Sequence, residues 1–292
     1  MATPREIKRR ISSVKNISKV TGALEAVSAA KVRKAQSAVL ATRAYSNAAL
    51  EILRDIAAAS DGSLSHPLLD PRPAVNQVEL ILITSDRGLA GAYNSNAVRV
   101  AIEFELKQQV PIRYVTVGRK GRDIMLRRGK NVIAEFSNLP PDPLIRDITA
   151  ITRTAIDDFV NGVVDEVYII YTEFINTLFQ EPRLMRLLPL QPEIDQSSNN
   201  GPNRLYTFEP DPDTVLEEIL PRFTELELYQ TVLESLASEH SARMIAMRNA
   251  TESANALQDD LRLSYNKARQ QAITNEMLDI VGGAESLAES SS

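Results

Sequence analysis

The 292-residue chain contains no cysteine and no tryptophan, and only two histidines. Without cysteine there are no disulfides, thiolate metal sites or thiol switches, a composition that suits a reducing compartment. With His66 and His240 as the only imidazoles, little remains for metal binding or acid–base chemistry near neutral pH. No apolar run approaches the roughly 20 residues needed to cross a bilayer. The segment MATPREIKRRISSVKN has basic residues but no apolar core behind them, so it does not read as a secretory signal. The net charge of −5 argues against general nucleic-acid binding, which draws on a basic face. The expectation is a chain that is soluble, or that meets a membrane only indirectly, through a partner.

Glycine and proline are missing too, but only in places. From Arg5 to Ser60 the only breaker is Gly22, and from Arg222 to Val281 there is none. The first stretch opens with Thr3-Pro4-Arg5-Glu6, a cap, a first-turn proline and an acid three residues after the cap. Ile7, Ile11, Val14, Ile17, Val20, Leu24 and Val27 follow at spacings of three and four. The last stretch offers a seven-residue register through Leu226, Tyr229, Leu233, Leu236, His240, Met247, Ala250, Ala254, Leu257, Leu261, Ala268 and Leu278. At 1.5 Å per residue each helix spans roughly 80–90 Å, more than a single domain covers, so the two ends are expected to pair. Residues 1–60 carry a balance of +7 and residues 211–282 one of −7, which favours that pairing. Small residues in the return segment, such as Ala242, Ala246 and Ala250, let two backbones approach closely.

Between the helices the pattern alternates. Strands are expected at Val78–Thr84, Ile112–Val117, Glu166–Phe174 and, at an edge, Arg183–Pro189. Helices are expected at Asn94–Gln109, Arg119–Arg128 and Ile145–Val160. The fold class is therefore α/β: a long antiparallel coiled coil of the terminal helices plus a Rossmann-like domain with a small, mostly parallel sheet. The division expected is 1–60 for the first helix, 75–190 for the globular domain, 191–210 for a loop and 211–286 for the return helix. That loop includes the polar Gln191–Asn203, with Asp211 or Asp213 as the next helix cap and a kink at Pro221.

The segment ILITSDRGLAGAYN runs from a strand through a glycine turn into a helix, the context of a phosphate site. Its chemistry does not follow. A P-loop places Gly-Lys-Ser/Thr at the helix start, and here the residues are Gly91-Ala92-Tyr93. A dinucleotide fingerprint needs a third glycine and a later acid, and neither is evident. Asp86, Arg87, Gly88 and Gly91 read as a structural turn. Arg119, Lys120 and Arg122 could meet an anion but read as a solvated surface. His66 and His240 read as structural. No catalytic constellation emerges, and no cofactor or metal is expected.

Four blocks carry a resemblance. ITNEMLDIVGGAES resembles the C-terminal signature of the gamma subunit of F-type ATP synthases, with Ile273, Thr274, Glu276, Asp279, Gly283 and Ala284 in its positions. SLASEHSARMIAMRNATESANAL with LSYNKARQ, SDRGLAGAYN and VKNISKVTGALEAVSAAKVRKAQ are similar to further stretches of that family. The resemblance implies a non-catalytic central rotor shaft of a proton-translocating synthase, with its coiled coil inside a ring of alpha and beta subunits. Its globular foot would hold the epsilon subunit and stand on the c-ring. It implies that Arg269, Gln270 and Thr274 face the ring, and that Arg9, Arg10, Arg33 and Lys34, with Lys8 and Lys31, meet acidic beta-subunit levers. For these basic residues, pairing with the acidic return helix is an equal alternative. The family commonly reads Cys-Gly-Gly where this chain has Ala90-Gly91-Ala92, and chloroplast relatives carry a cysteine-bearing insertion near Gln191–Asn203. The location implied is the cytoplasmic face of a bacterial plasma membrane, rather than a thylakoid. Two other classes stay open: a nucleotide-binding enzyme with a coiled-coil appendage, and a self-associating scaffold.

Overall fold

The computed structural model describes residues 3–59, 66–190 and 212–290. The described order is α1 (Pro4–Ala59), β1 (Val78–Ile83), α2 (Tyr93–Lys107), β2 (Ile112–Val117), α3 (Arg119–Arg127), β3 (Val132–Phe136), α4 (Ile145–Val160), β4 (Glu166–Phe174), β5 (Gln180–Leu188) and α5 (Pro212–Ser290). The chain divides into two compact units, residues 1–27 with 244–292, and residues 28–243.

In the larger unit the sheet runs β3-β2-β1-β4-β5. The first four strands are parallel, with Ile81 opposite both Val115 and Ile169, and β5 closes the edge antiparallel to β4. One face of β1, β2 and β4 packs Ile81, Val115 and Ile169 on Ile151 and Phe159 of α4 and on Leu220 and Leu228 of α5. The other packs Leu80, Tyr114 and Ile170 on Ala97, Ala101 and Phe104 of α2 and Met125 of α3. Burial on both faces explains why β1 reads VELILI, nearly continuous in apolar residues.

The sequence reading did not include β3. This strand is at an edge, only half-buried, and interrupted by the exposed Glu135, so neither continuous nor alternating apolarity marks it. The edge strand β5 starts at Gln180, earlier than the expected Arg183, and accommodates Pro182 opposite Thr172. An edge position spares the missing N–H a ladder partner. The expected loop Gln191–Asn203 and the cap candidate Asp211 lie outside the described residues. Pro212 opens α5, which continues unbroken across Pro221.

In the smaller unit, α1 opens with a reciprocal cap. The Glu6 N–H donates to Thr3 Oγ1 at 3.4 Å, and the Thr3 N–H donates to Glu6 Oε2 at 3.0 Å. Three cross-helix contacts fix an antiparallel register: Ser18 to Asn255 at 2.8 Å, Thr21 to Thr251 at 2.7 Å, and Arg248 to Glu25 at 3.0 Å. Residue numbers in each pair add to 272 or 273. The buried and half-buried positions of α1 here include Ile7, Ile11, Val14, Ser18, Thr21 and Glu25, alternating four and three apart, with Pro4, Gly22 and Leu24 half-buried beside them. This heptad corrects part of the expected stripe: Ile7, Ile11, Val14 and Leu24 are covered, whereas Ile17, Val20 and Val27 are exposed. On α5 the matching seam is Met244, Met247, Thr251, Ala254, Gln258, Leu261, Tyr265 and Ala268, whereas Leu257 faces outward. Among the described residues Leu278 meets no second helix: the register brings Pro4 opposite Arg269, and no described helix pairs with α5 beyond that point. The charge expectation is also corrected. Among the described residues, α1 and α5 share two ion pairs, Arg248–Glu25 and Arg43–Glu234, and the first has the polarity opposite to that expected.

Candidate functional site

In open α/β sheets, ligands meet the crevice beyond the strand carboxyl ends where the strand order reverses. Here the reversal lies between β1 and β4, and the turn of residues 85–92 leaves β1 at that point. Its polar groups are already engaged. The Ser85 N–H donates to Asn94 Oδ1 at 2.9 Å, and the Asn94 amide donates to Ser85 Oγ at 2.8 Å. Ser85 Oγ donates to the Arg87 carbonyl at 2.6 Å. Asp86 accepts from the Arg119 N–H at 3.1 Å and the Asn138 N–H at 2.8 Å, so the chain's own carboxylate occupies the N-terminus of α3. Leu89 and Gly91 take left-handed conformations, with φ of 64° and 55°.

The other side of the turn is fastened by α5. The Arg243 guanidinium donates to the carbonyls of Arg87 and Gly88, both at 3.3 Å, and pairs with Glu239 at 2.8 Å. A phosphate cradle presents N–H groups outward. This turn presents carbonyls to a cation, the opposite polarity. Behind it, Thr84 Oγ1 donates to the Val117 carbonyl at 3.1 Å and accepts from the Gly121 N–H at 2.8 Å. Gly118 sits against Thr84 at φ 94°, where a side chain has no room. The site is therefore a fastening between sheet and helix. Sequence reasoning gave Asp86 its tying role but passed over Arg243 and Glu239. The i,i+4 acid–base pair in SEHSAR, on a helix with few cations, was the available signal.

The remaining expected residues fall elsewhere. Arg119 pairs with Asp86, and Arg122 bridges Glu135 and Asp123, both at 2.7 Å, as surface ion pairs. His66 Nδ1 accepts from the Leu68 N–H at 3.1 Å. His240 is buried near Lys31 and Arg243; burial first, then those cations, lower its pKa to about 4, so it is neutral at physiological pH. No group of three His, Asp or Glu side chains among the described residues is placed to hold a metal.

Arg269, Gln270, Ile273, Thr274, Glu276 and Asp279 are all exposed on the unpaired end of α5, where Met277 and Leu278 also stand open, at 62% and 64% exposure. Thr274 Oγ1 donates back to the Gln270 carbonyl at 3.0 Å. The surroundings of Gly283 and Ala284 lie outside the described residues. Arg9, Arg10 and Arg33 are exposed and in no ion pair among the described residues, and Lys34 pairs with Asp142 rather than with α5. The hairpin between β4 and β5 exposes Ile175, Leu178 and Phe179, a cluster the sequence reading did not single out. Asn176 Oδ1 accepts from the Leu178 and Phe179 N–H groups at 2.8 and 2.9 Å and so shapes this tip.

A protein-family model described as ATP synthase matches residues 3–287. The ATP synthase gamma chain of Roseiflexus sp. (strain RS-1) is 47% identical over 292 residues, covering 99% of this chain and 100% of that one. The chain belongs to the ATP synthase gamma chain family. The gamma chain of Herpetosiphon aurantiacus is 48% identical over 297 residues, with 98% and 99% covered. Among solved structures, a chain of the Euglena gracilis mitochondrial ATP synthase (OSCP/F1/c-ring, rotational state 3) matches with a TM-score of 0.69 at 20% identity, over 97% of this chain and 94% of that one. A second, from the rotor of that synthase in rotational state 1, gives 0.65 at 18%, over 92% and 98%. These two likenesses establish the fold: long terminal helices with an α/β domain. No described helix is long and apolar enough to cross a membrane.

Proposed function

We propose that the chain is the central rotor shaft of a proton-translocating F-type ATP synthase and performs no catalysis itself. The observation that carries this reading is the match along nearly its whole length to gamma chains. Residues 1–60 and 211–286 are assigned to the shaft and 75–190 to the foot. Alpha and beta subunits surround the shaft, and the foot carries the epsilon subunit and stands on the c-ring. The complex is peripheral to the cytoplasmic face of a bacterial plasma membrane through that ring.

The mechanism follows from asymmetry. A shaft that presents different side chains in different directions touches three identical catalytic subunits differently. It shifts each only by its differential affinity for their conformations, so a third of a turn exchanges their roles. Arg269, Gln270 and Thr274, exposed and without ion pairs, are the groups assigned to meet the ring, and Arg9, Arg10, Arg33 and Lys34 those assigned to its acidic levers. Replacing Arg269 and Gln270 together by alanine is expected to lower ATP synthesis by about tenfold, since one charged hydrogen bond contributes about 1.5–3 kcal/mol. Unchanged synthesis and torque would count against the assignment. Reconstitution with the cognate alpha and beta subunits tests the reading as a whole. One copy per three alpha–beta pairs with sustained ATP hydrolysis is expected; a chain that stays apart and leaves hydrolysis unchanged overturns it.

A further inference from the structure

At the amino end of β1, opposite to the Arg243 fastening, Glu79 is 0% exposed on the face covered by α4. Its register partner on β2 is Arg113, and on β4 the uncharged Val167. Arg113 Nη2 is already engaged by Asp158 of α4 at 2.9 Å. Neither Glu79 oxygen has a hydrogen-bond donor, and Arg113 Nε is likewise unmatched. Two other charged groups at this end, Arg72 and Asp165, make their hydrogen bonds elsewhere, although Arg72 Nε, like Arg113 Nε, is buried without a partner. Arg72 donates to the Phe159 carbonyl at 2.9 Å, and Asp165 accepts the N–H groups of Asn76 and Gln77. Two carboxylates therefore compete for one guanidinium: Glu79 is fully buried, and the Asp158 and Arg113 side chains are 22% and 19% exposed.

With both acids ionised, the cluster would hold one uncompensated buried negative charge, an arrangement that proteins avoid by neutralising the group. We propose that Glu79 stays protonated in the folded chain, donates its proton to the Asp158 carboxylate, and fastens α4 to the sheet only while it keeps that proton. The proton resides on Glu79 because it is the more buried acid and Asp158 holds the direct arginine contact. Burial first, and then the Asp158 charge, raise the Glu79 pKa to about 8. The unfolded carboxyl titrates near its ordinary value, about 4.3. Between those limits the folded state binds one more proton than the unfolded state, so this contribution to stability is full at low pH and is lost as pH rises towards 8. The foot thus carries an alkaline limit that does not depend on the rotor reading.

Urea unfolding of the full chain between pH 6 and pH 8 tests this, compared with Glu79→Gln and Asp158→Asn. Linkage of one proton changes the unfolding equilibrium by about tenfold per pH unit. The wild-type constant is expected to rise by about that factor relative to Glu79→Gln, which keeps the shape and cannot ionise. Asp158→Asn removes the competing acid but not the burial, so its slope should fall below the wild-type value without vanishing, and it decides the matter if Glu79→Gln does not fold. A wild-type slope retained in either folded variant overturns the proposal.

Discussion

Replacing Arg243 by alanine lowers the stability of the 28–243 unit by about 3 kcal/mol, the loss expected when one partner of a buried pair is removed. Arg243 and Glu239 side chains are only 14% and 12% exposed, so the stranded carboxylate cannot turn to water. The carbonyls of Arg87 and Gly88 lose their donor at the same time. Burial already raises the Glu239 pKa, and Arg243 is the main group opposing that rise. Without the arginine, folded Glu239 holds its proton to higher pH than the unfolded chain does. Stability is then lost as pH rises, so the deficit against wild type is larger at pH 8 than at pH 5. Urea midpoints at both values check this, and Glu239→Gln in the same chain recovers part of the loss. Midpoints equal to those of wild type at both pH values would mean that the fastening contributes nothing.

Gly118→Ala is the second large effect. A Cβ built there lies 2.2 Å from the Thr84 carbonyl oxygen and 2.7 Å from its carbon, both backbone atoms that cannot swing aside. The φ of 94° adds conformational strain for any L side chain. Relief requires separating the ends of β1 and β2, which also breaks the Thr84 hydrogen bonds to Val117 and Gly121. The expected loss is about 4 kcal/mol, in the range reserved for such steric failures. Gly129→Ala is the control. It has φ of 70° with nothing within 4 Å, so only the backbone preference, about 1–2 kcal/mol, is lost. Thermal unfolding of the two variants side by side separates collision from conformation; equal losses would refute the steric account.

Where breakers and apolar runs agreed, the sequence was informative. Val78–Ile83, Ile112–Val117 and Glu166–Phe174 read as strands because both faces are buried, and the terminal helices showed themselves by lacking glycine and proline. Reading failed where packing replaces hydrophobicity. Following apolar residues along α1 led from Val14 through Ile17, Val20 and Leu24 to Val27; of these last four only Leu24 is half-buried, and the chain half-buries Ser18, Thr21 and Glu25 beside it. Hydroxyl pairs such as Thr21–Thr251 can form a seam only when a second helix is present, which no local window contains. The turn after β1 was readable as lacking a phosphate-binding lysine. Its fastening was not, since Arg243 reaches Gly88 from 155 residues away.

The unpaired end of α5 has a consequence for helix formation itself. Starting a helix costs far more than extending one, and isolated helices shorter than about 12–15 residues are marginal in water. Beyond Ala268, residues Arg269 to Gly282 are exposed and meet no second helix among the described residues. Those turns need no nucleus of their own, because they grow from a paired segment that is already wound. Their amides should exchange with solvent in a graded order, fastest at the far end, as in a zipper opened from one side. Any surface that closes around them need only suppress that fraying, with no fold to induce.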